Sequence, residues 1–254
     1  LTGGREPVRR WTWSFGDGTT GEGQEIDHVY LRPGTFRVIL TAATASGRRR
    51  CVYEVRVSRP WDRVIDHRLD SLESHAAIVS RYDFASLRGS ALLEAAWLLE
   101  RTGRLDALAL LGEACRTRDA DGETSACRVL PIYAGLLLAR GSGAEAVDAL
   151  EAGAGGTDNA SLAADLLLQA GRIRLEELDQ LDAAEDVFLR IVREYGPLTS
   201  AEAVRQARIA LGDVWRLRGD REKALAAYRE AGPGQFAGDP AVVRGDFARQ
   251  AEEY

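Results

Sequence analysis

Methionine is missing from this sequence altogether, and a single lysine, Lys223, stands among 33 basic residues. The missing initiator suggests processing or excision from a longer polypeptide, so the lack of a leader says nothing about the parent protein. The arginine bias is taken as genomic rather than mechanistic. Histidine occurs three times, and cysteine three times, at positions 51, 115 and 127, with no Cys-x-x-Cys pair. These counts suggest neither a zinc site nor a redox pair, and they leave few candidates for histidine-based catalysis. Long apolar runs are also scarce. The longest charge-free stretch, Val129 to Ala139, has eleven residues, whereas a bilayer-spanning helix needs about twenty. Gly-x-Ser-x-Gly, Gly-x-x-x-x-Gly-Lys-Ser/Thr and His-Glu-x-x-His are all absent, which removes the nucleophile elbow, the phosphate loop and the metalloprotease helix. Gly141-Ser142-Gly143 resembles a fragment of a nucleotide loop, but it follows no strand and is expected as a turn between helices. No catalytic residue, cofactor or metal ligand is expected, and the chain is taken as non-enzymatic.

The 254 residues are 45% hydrophobic and 28% charged, the balance of a folded protein with one large domain or two ordinary ones. The charge is unevenly spread. Residues 1–58 hold nine arginines and six acids, a balance of +3, while the remainder holds 24 basic and 33 acidic residues, a balance of −9. An acidic C-terminal region argues against nucleic acid as a partner, because the phosphate backbone needs a cationic face. The basic run Arg48-Arg49-Arg50 follows Ser46-Gly47 and is expected as a solvated turn, with an anion or partner contact as the alternative.

Trp11, Trp13 and Phe15 alternate with Thr12 and Ser14, the period of a half-buried strand. Gly16 and Gly18 flank Asp17, whose carboxylate can accept backbone N–H groups in a turn. Asp17 is therefore expected to be structural; a calcium role has no second clustered acid to support it. After the turn at Pro33-Gly34, Phe36, Val38, Leu40 and Ala42 line one strand face, with Arg37, Ile39 and Thr41 opposite. Cys51, Tyr53, Val55 and Val57 share one parity on the next strand, which points Cys51 toward a core. The residues Trp13-x-Phe15-Gly16-Asp17-Gly18, then His28-x-Tyr30-x-x-Pro33-Gly34-x-Phe36-x-Val38-x-Leu40, resemble a PKD domain, an immunoglobulin-like module, over about residues 9–58. Such domains usually begin one or two strands earlier, and here only Leu1 to Val8 precede the motif. The expectation is a partial β-sandwich over residues 1–58, with an unpaired sheet edge if the chain is cut inside the domain. The resemblance implies an extracytoplasmic spacer or adhesion module that binds protein or carbohydrate. In the carbohydrate alternative, the region belongs to a larger secreted hydrolase and Trp11 stacks on sugar rings of a polysaccharide.

From Pro60 onward the periodicity is helical. Val64, Ile65, Leu69, Leu72, Ala76 and Val79 form a stripe between Asp62 and Tyr82. His67 and His75 lie two turns apart there, too little convergence for a metal site. Cys115 and Cys127 bracket a loop between helices; two buried free thiols are expected, with a disulfide as the alternative in an oxidising compartment. Leu108, Ala146, Ala184 and Ala224 then align at spacings of 38, 38 and 40 residues, each five positions after a break at Gly103, Gly141, Asp179 or Gly219. That period describes stacked helical hairpins. The last unit, Leu211-Gly212-x-x-Trp215-x-x-x-Gly219-Asp220-x-x-x-Ala224-x-x-x-Tyr228-x-x-Ala231, is similar to a tetratricopeptide (TPR) repeat. Gly212 and Ala224 let its helices approach, and Trp215 and Tyr228 fill the space around them. In the unit before, Arg172 falls on the small position. The expected fold is therefore the β-module over 1–58 followed by an all-α, TPR-like superhelical solenoid over 61–254. Its repeats lie near 89–122, 127–158, 165–198 and 205–238, with loops at Gly153–Asn159 and Gly232–Asp239 and a closing helix at 240–253. The resemblance implies that the first helix of each hairpin lines a concave groove. On this chain that gives Ser90, Leu93, Trp97 and Arg101; Arg128 and Ile132; Gln169, Ile173 and Glu176; Gln206, Asp213 and Arg216. Trp97 is the expected anchor, with simple packing against a neighbouring hairpin as its alternative. Such a groove suits a protein partner presenting an extended peptide or a helix.

Overall fold

The computed structural model describes residues 7–58, 69–117 and 124–232. His67, the expected helix start at Asp62, the loop from residue 233 to Asp239 and the closing helix at 240–253 lie outside the described residues. The chain divides into two compact units, residues 1–136 and 137–254.

The first unit begins with four antiparallel strands, β1 (Arg10–Ser14), β2 (Thr20–Glu22), β3 (Gly34–Ala43) and β4 (Arg48–Val57), in the order β2-β1-β3-β4. The register sets Trp11 opposite Ala42 and Trp13 opposite Leu40, and on the other side Phe36 opposite Val55, Val38 opposite Tyr53 and Leu40 opposite Cys51. Directly opposed residues share a face, so these side chains form one apolar surface. Among the described residues this partial sandwich is one sheet, and the segment 23–33 lies over its apolar face. The His28 ring stacks on Phe15 with centroids 3.9 Å apart, Tyr30 stacks on Phe36 at 4.3 Å, and Val29 and Leu31 of the same segment are buried. That cover ends at β3. Val38 is 6% exposed, while Tyr53 directly across from it is 53% exposed. Cys51 is therefore exposed, contrary to the expectation from strand parity. Parity assigned it to the correct face, but that face is open along β4. Arg48 to Arg50 likewise lie within β4 and not in the turn before it.

Asp17 is structural, as expected. Its Oδ1 accepts the backbone N–H of Thr19 at 3.0 Å and the Thr19 hydroxyl at 2.6 Å. Gly18 holds a left-handed φ of 102°, and a Cβ there would stand 2.9 Å from the carbonyl of Ser86. The turn thus packs against a 3-10 turn at Phe84–Ser86. The helices of this unit are α1 (Leu69–Val79), α2 (Ser90–Arg101), α3 (Leu105–Arg116), the single turn α4 (Thr124–Cys127) and the start of α5 (Leu130–Ala139). Leu92, Leu98, Leu99, Leu108 and Leu111 fill the core around α2 and α3. Gly112 gives way to the Tyr133 ring, which a Cβ at Gly112 would meet at 2.2 Å. Cys115 and Cys127 are buried free thiols.

In the second unit α6 (Gly143–Gly155), α7 (Ala160–Glu176), α8 (Leu181–Arg190), α9 (Ala201–Leu217) and α10 (Arg221–Ala231) pack in chain order, α7 also touching α9. One π-helical turn, Ile191–Tyr195, extends α8. Gly153, expected in a loop, lies inside α6. Helices α7, α9 and α10 start at Asn159, Ser200 and Asp220, whose side chains each accept a backbone N–H three residues on. The four expected breaks all hold left-handed backbone: φ is 66° at Gly103, 76° at Gly141, 52° at Asp179 and 79° at Gly219. Three of them make the same turn, in which the residue after the glycine donates back across the helix end (Arg104 to Leu99, Ser142 to Leu137, Asp220 to Trp215). The third hairpin differs. Its turn runs one residue longer, with Gln180 donating to Arg174 and the non-glycine Asp179 in the strained position.

That extra residue shifts the packing register. Gly171 of α7 is the small residue facing Phe188 of α8, a Cβ at Gly171 lying 2.4 Å from that ring. Arg172, expected on the small position, is exposed. In the last hairpin Gly212 faces Tyr228 in the same way, at 2.3 Å. Phe188 has no exposed surface, and truncating such a ring to alanine costs about 3–5 kcal/mol. The fold is thus a small antiparallel sheet followed by TPR-like helix pairs, the last two of which are closed by a glycine under an aromatic ring.

Candidate functional site

The expected partner-contacting residues sit on or beside the first helices of the pairs. In the first unit, Ser90, Leu93, Trp97 and Arg101 follow one stripe of α2. Its other face, with Ala91, Leu92, Ala95, Leu98 and Leu99, is buried. Trp97 is 44% exposed and Arg101 is exposed. Arg128 is exposed as well, but it lies in the turn between α4 and α5 and not on a first helix.

In the second unit, Gln169 on α7 is half-buried and Glu176 at its end is exposed, whereas Ile173 is 8% exposed and belongs to the core. Gln206 on α9 accepts from Arg172 Nη2 at 3.3 Å and donates to Glu202 at 2.8 Å. The first of these bonds joins α7 to α9, so the first helices of successive pairs run side by side here. Asp213 is turned toward its own hairpin: it accepts the Tyr228 hydroxyl at 2.7 Å and lies 3.7 Å from Arg216. Burial together with that hydrogen bond pushes the Tyr228 hydroxyl up to about 12. Arg216 is exposed beside it.

Neighbouring pairs are also locked at the C-terminal end of α9, where Trp215 Nε1 donates to Glu185 at 3.0 Å and Arg218 pairs with both Glu185 and Asp182. Between α6 and α7, Arg174 reaches Glu151 through Nε at 3.1 Å and Nη2 at 2.8 Å. Sequence reasoning missed Arg172 and these cross-helix contacts. The adjacent Gly171, one place before Arg172, was the available signal.

A second constellation was also missed. His28 Nε2 lies 2.9 Å from Asp17 Oδ2, and its Nδ1 lies 2.9 Å from the hydroxyl of Tyr82, which lies beyond α1. Tyr82 Oη also accepts the Val29 N–H at 2.7 Å and donates to the Val29 carbonyl at 2.9 Å. The Tyr82 ring stacks on His28 at 5.3 Å. Burial drives the Asp17 carboxyl up, but hydrogen bonds from His28 and Thr19 outweigh it and hold the group below its usual range. Burial, with some help from the Asp17 charge, raises the Tyr30 hydroxyl to about 12 and also raises that of Tyr82. This cluster ties the sheet and its covering segment to the turn that follows α1. Trp11, the ring that would stack on sugars in the carbohydrate alternative, is half-buried. Among the described residues no group of three or more histidine, cysteine or acidic side chains converges as a metal site, and no helix is long and apolar enough to cross a membrane.

No curated protein matches the chain in sequence. Among solved structures, the crystal structure of MamA is similar over 64% of this chain and 87% of its own, with 12% identity and a TM-score of 0.46. BtubC from P. vanneervenii is similar over 64% of this chain and 69% of its own, with 18% identity and a TM-score of 0.49. MamA MSR-1 C2 gives 64% and 86%, with 18% identity and a TM-score of 0.41. Over residues 3–58, the sheet and its covering segment, the chain matches the PKD domain family.

Proposed function

We propose that this chain is a non-enzymatic protein-binding scaffold of the extracytoplasmic space. In this reading residues 1–58 act as a spacer or adhesion module and residues 61–254 hold the partner. The contact lies on and beside the first helices: Trp97, Arg101 and Arg128 in the first unit, and Gln169, Glu176, Gln206, Asp213 and Arg216 in the second. The match of residues 3–58 to the PKD domain supports a place outside the cytoplasm. The observation that carries the binding role is Trp97. Its helix already buries a full apolar stripe, yet this large ring remains 44% exposed between Leu93 and Arg101. A partly exposed tryptophan flanked by an arginine is the composition from which interface anchors are drawn.

The test is affinity capture from an extracytoplasmic extract with the full chain, followed by measurement of the Kd of the captured protein. Trp97→Ala should weaken that complex by roughly tenfold to a hundredfold, the range of an anchor residue. Leu110→Ala, at a 65% exposed position on α3, should leave it unchanged. Equal affinity for the Trp97→Ala chain would remove Trp97 and its helix face from the interface.

A further inference from the structure

Sheet edges are normally kept from recruiting another strand by being short, by proline, by a bulge, by a covering segment or by charge. β4 has none of the first four among the described residues. It is ten residues long without proline, and it pairs with β3 at every step from Gly34 opposite Val57 to Ala43 opposite Arg48. It stands last in the sheet and is exposed from Arg48 to Arg56. Its charge is predominantly positive, Arg48, Arg49, Arg50 and Arg56 against the single Glu54, and none of the four arginines pairs with an acid among the described residues. Charge of one sign repels a like strand and attracts an opposite one.

The register sorts these side chains by face. Arg48, Arg50, Val52, Glu54 and Arg56 share a face with Arg37 of β3, while Arg49, Cys51, Tyr53 and Val55 continue the apolar face of Val38 and Phe36. Tyr53 and Val55 are exposed at 53% and 36%. We propose that the outer edge of β4 takes up an acidic, extended polypeptide segment as a fifth strand. In that segment aspartate or glutamate alternates with aliphatic residues, the acids facing Arg48, Arg50 and Arg56 and the aliphatics facing Tyr53 and Val55. Backbone hydrogen bonds along the open edge supply the pairing, and the two faces of β4 select the sequence. A second copy of this chain fits poorly. Residues opposed across a symmetric antiparallel β4–β4 seam share a face, so a seam centred on Val52 sets Arg48 opposite Arg56 twice and one centred on Tyr53 sets Arg50 opposite Arg56 twice; either gathers eight arginines against two glutamates at one contact.

The experiment uses the full chain and a fluorescein-labelled ten-residue peptide of alternating glutamate and valine, read by fluorescence anisotropy at about 50 and 200 mM salt. Saturable binding is expected, weakened by salt and at least tenfold weaker for the R48E/R50E/R56E chain. The same peptide N-methylated at alternate residues, which leaves its charge intact but blocks strand pairing, should also bind at least tenfold more weakly. A peptide of the same composition with its glutamates in one block should bind more weakly than the alternating one. Equal binding of the N-methylated or blocked peptide would reduce the contact to plain charge attraction and overturn the proposal. So would unchanged binding by R48E/R50E/R56E, or a dimer in sedimentation that the same variant dissolves.

Discussion

Replacing Tyr82 with phenylalanine removes one oxygen atom and keeps the ring that stacks on His28. That oxygen serves three groups: the Val29 N–H at 2.7 Å, the Val29 carbonyl at 2.9 Å and His28 Nδ1 at 2.9 Å. Val29 is 7% exposed, so water reaches its backbone poorly. A buried polar group left without a partner costs about 1–3 kcal/mol. Tyr82 itself is only half-buried, so one of the three groups should regain a water, and the net loss should be about 2–4 kcal/mol. The loss acts where the sheet meets the first helices, so it should appear first as local opening. Hydrogen exchange at the Val29 amide reports that opening directly, and urea unfolding followed by tryptophan fluorescence reports its global share. A double-mutant cycle with His28→Ala should show coupling of at least about 0.5 kcal/mol, because the two side chains share one network. If Tyr82→Phe leaves Val29 exchange unchanged and stability within about 0.5 kcal/mol of the parent, the cluster does not fasten the sheet and the reasoning fails.

Glycine substitutions should separate crowded from open helix positions. Gly212→Ala forces a Cβ to within 2.3 Å of the Tyr228 ring and should cost about 1–3 kcal/mol in urea unfolding. Gly135→Ala meets nothing within 4 Å and should be neutral or stabilise by up to about 1 kcal/mol. Asp179→Gly should raise stability by about 1 kcal/mol, since it relieves a left-handed φ of 52° on a residue with a Cβ; a loss would show that the aspartate side chain holds the turn. For Asp17 the folded-state carboxyl titrates below its usual value. Its contribution is therefore complete above the ordinary carboxylate range and is lost as pH falls through about 4 and below. Urea midpoints of the parent should decline over that interval, and Asp17→Asn should be less stable near neutrality and lack that part of the decline.

The elements themselves were open to reading because their signals are local. The alternation from Trp11 to Phe15, the Gly16-Asp17-Gly18 turn and the four breaks from Gly103 to Gly219 all act over a few residues, and each stands where the sequence implied. What failed depended on distance. Parity put Cys51 on the apolar face of β4, but whether that face is covered is decided by His28, Tyr30 and Tyr82, which lie far away in sequence. A fixed repeat spacing put Arg172 on the small position, because a constant period assumes constant turns and the turn at Asp179 carries one residue more. The small residue stands one place earlier, at Gly171.

The same distinction ranks the surface residues. Helical periodicity names a stripe on each first helix, but one member, Ile173, lies in the core, and periodicity cannot tell a side chain already engaged from one left available. Gln206 is held by Arg172 and Glu202, and Asp213 by Tyr228, so a partner would have to break or share those bonds, each worth about 0.5–1.5 kcal/mol. Trp97 makes no comparable demand. Its ring is in part already exposed to water, and covering it releases apolar surface at about 25 cal/mol per Å² without breaking a hydrogen bond. On energetic grounds a partner should therefore be anchored first at Trp97 and only adjusted at Gln206 and Asp213, so alanine at those two positions should weaken binding much less than alanine at Trp97.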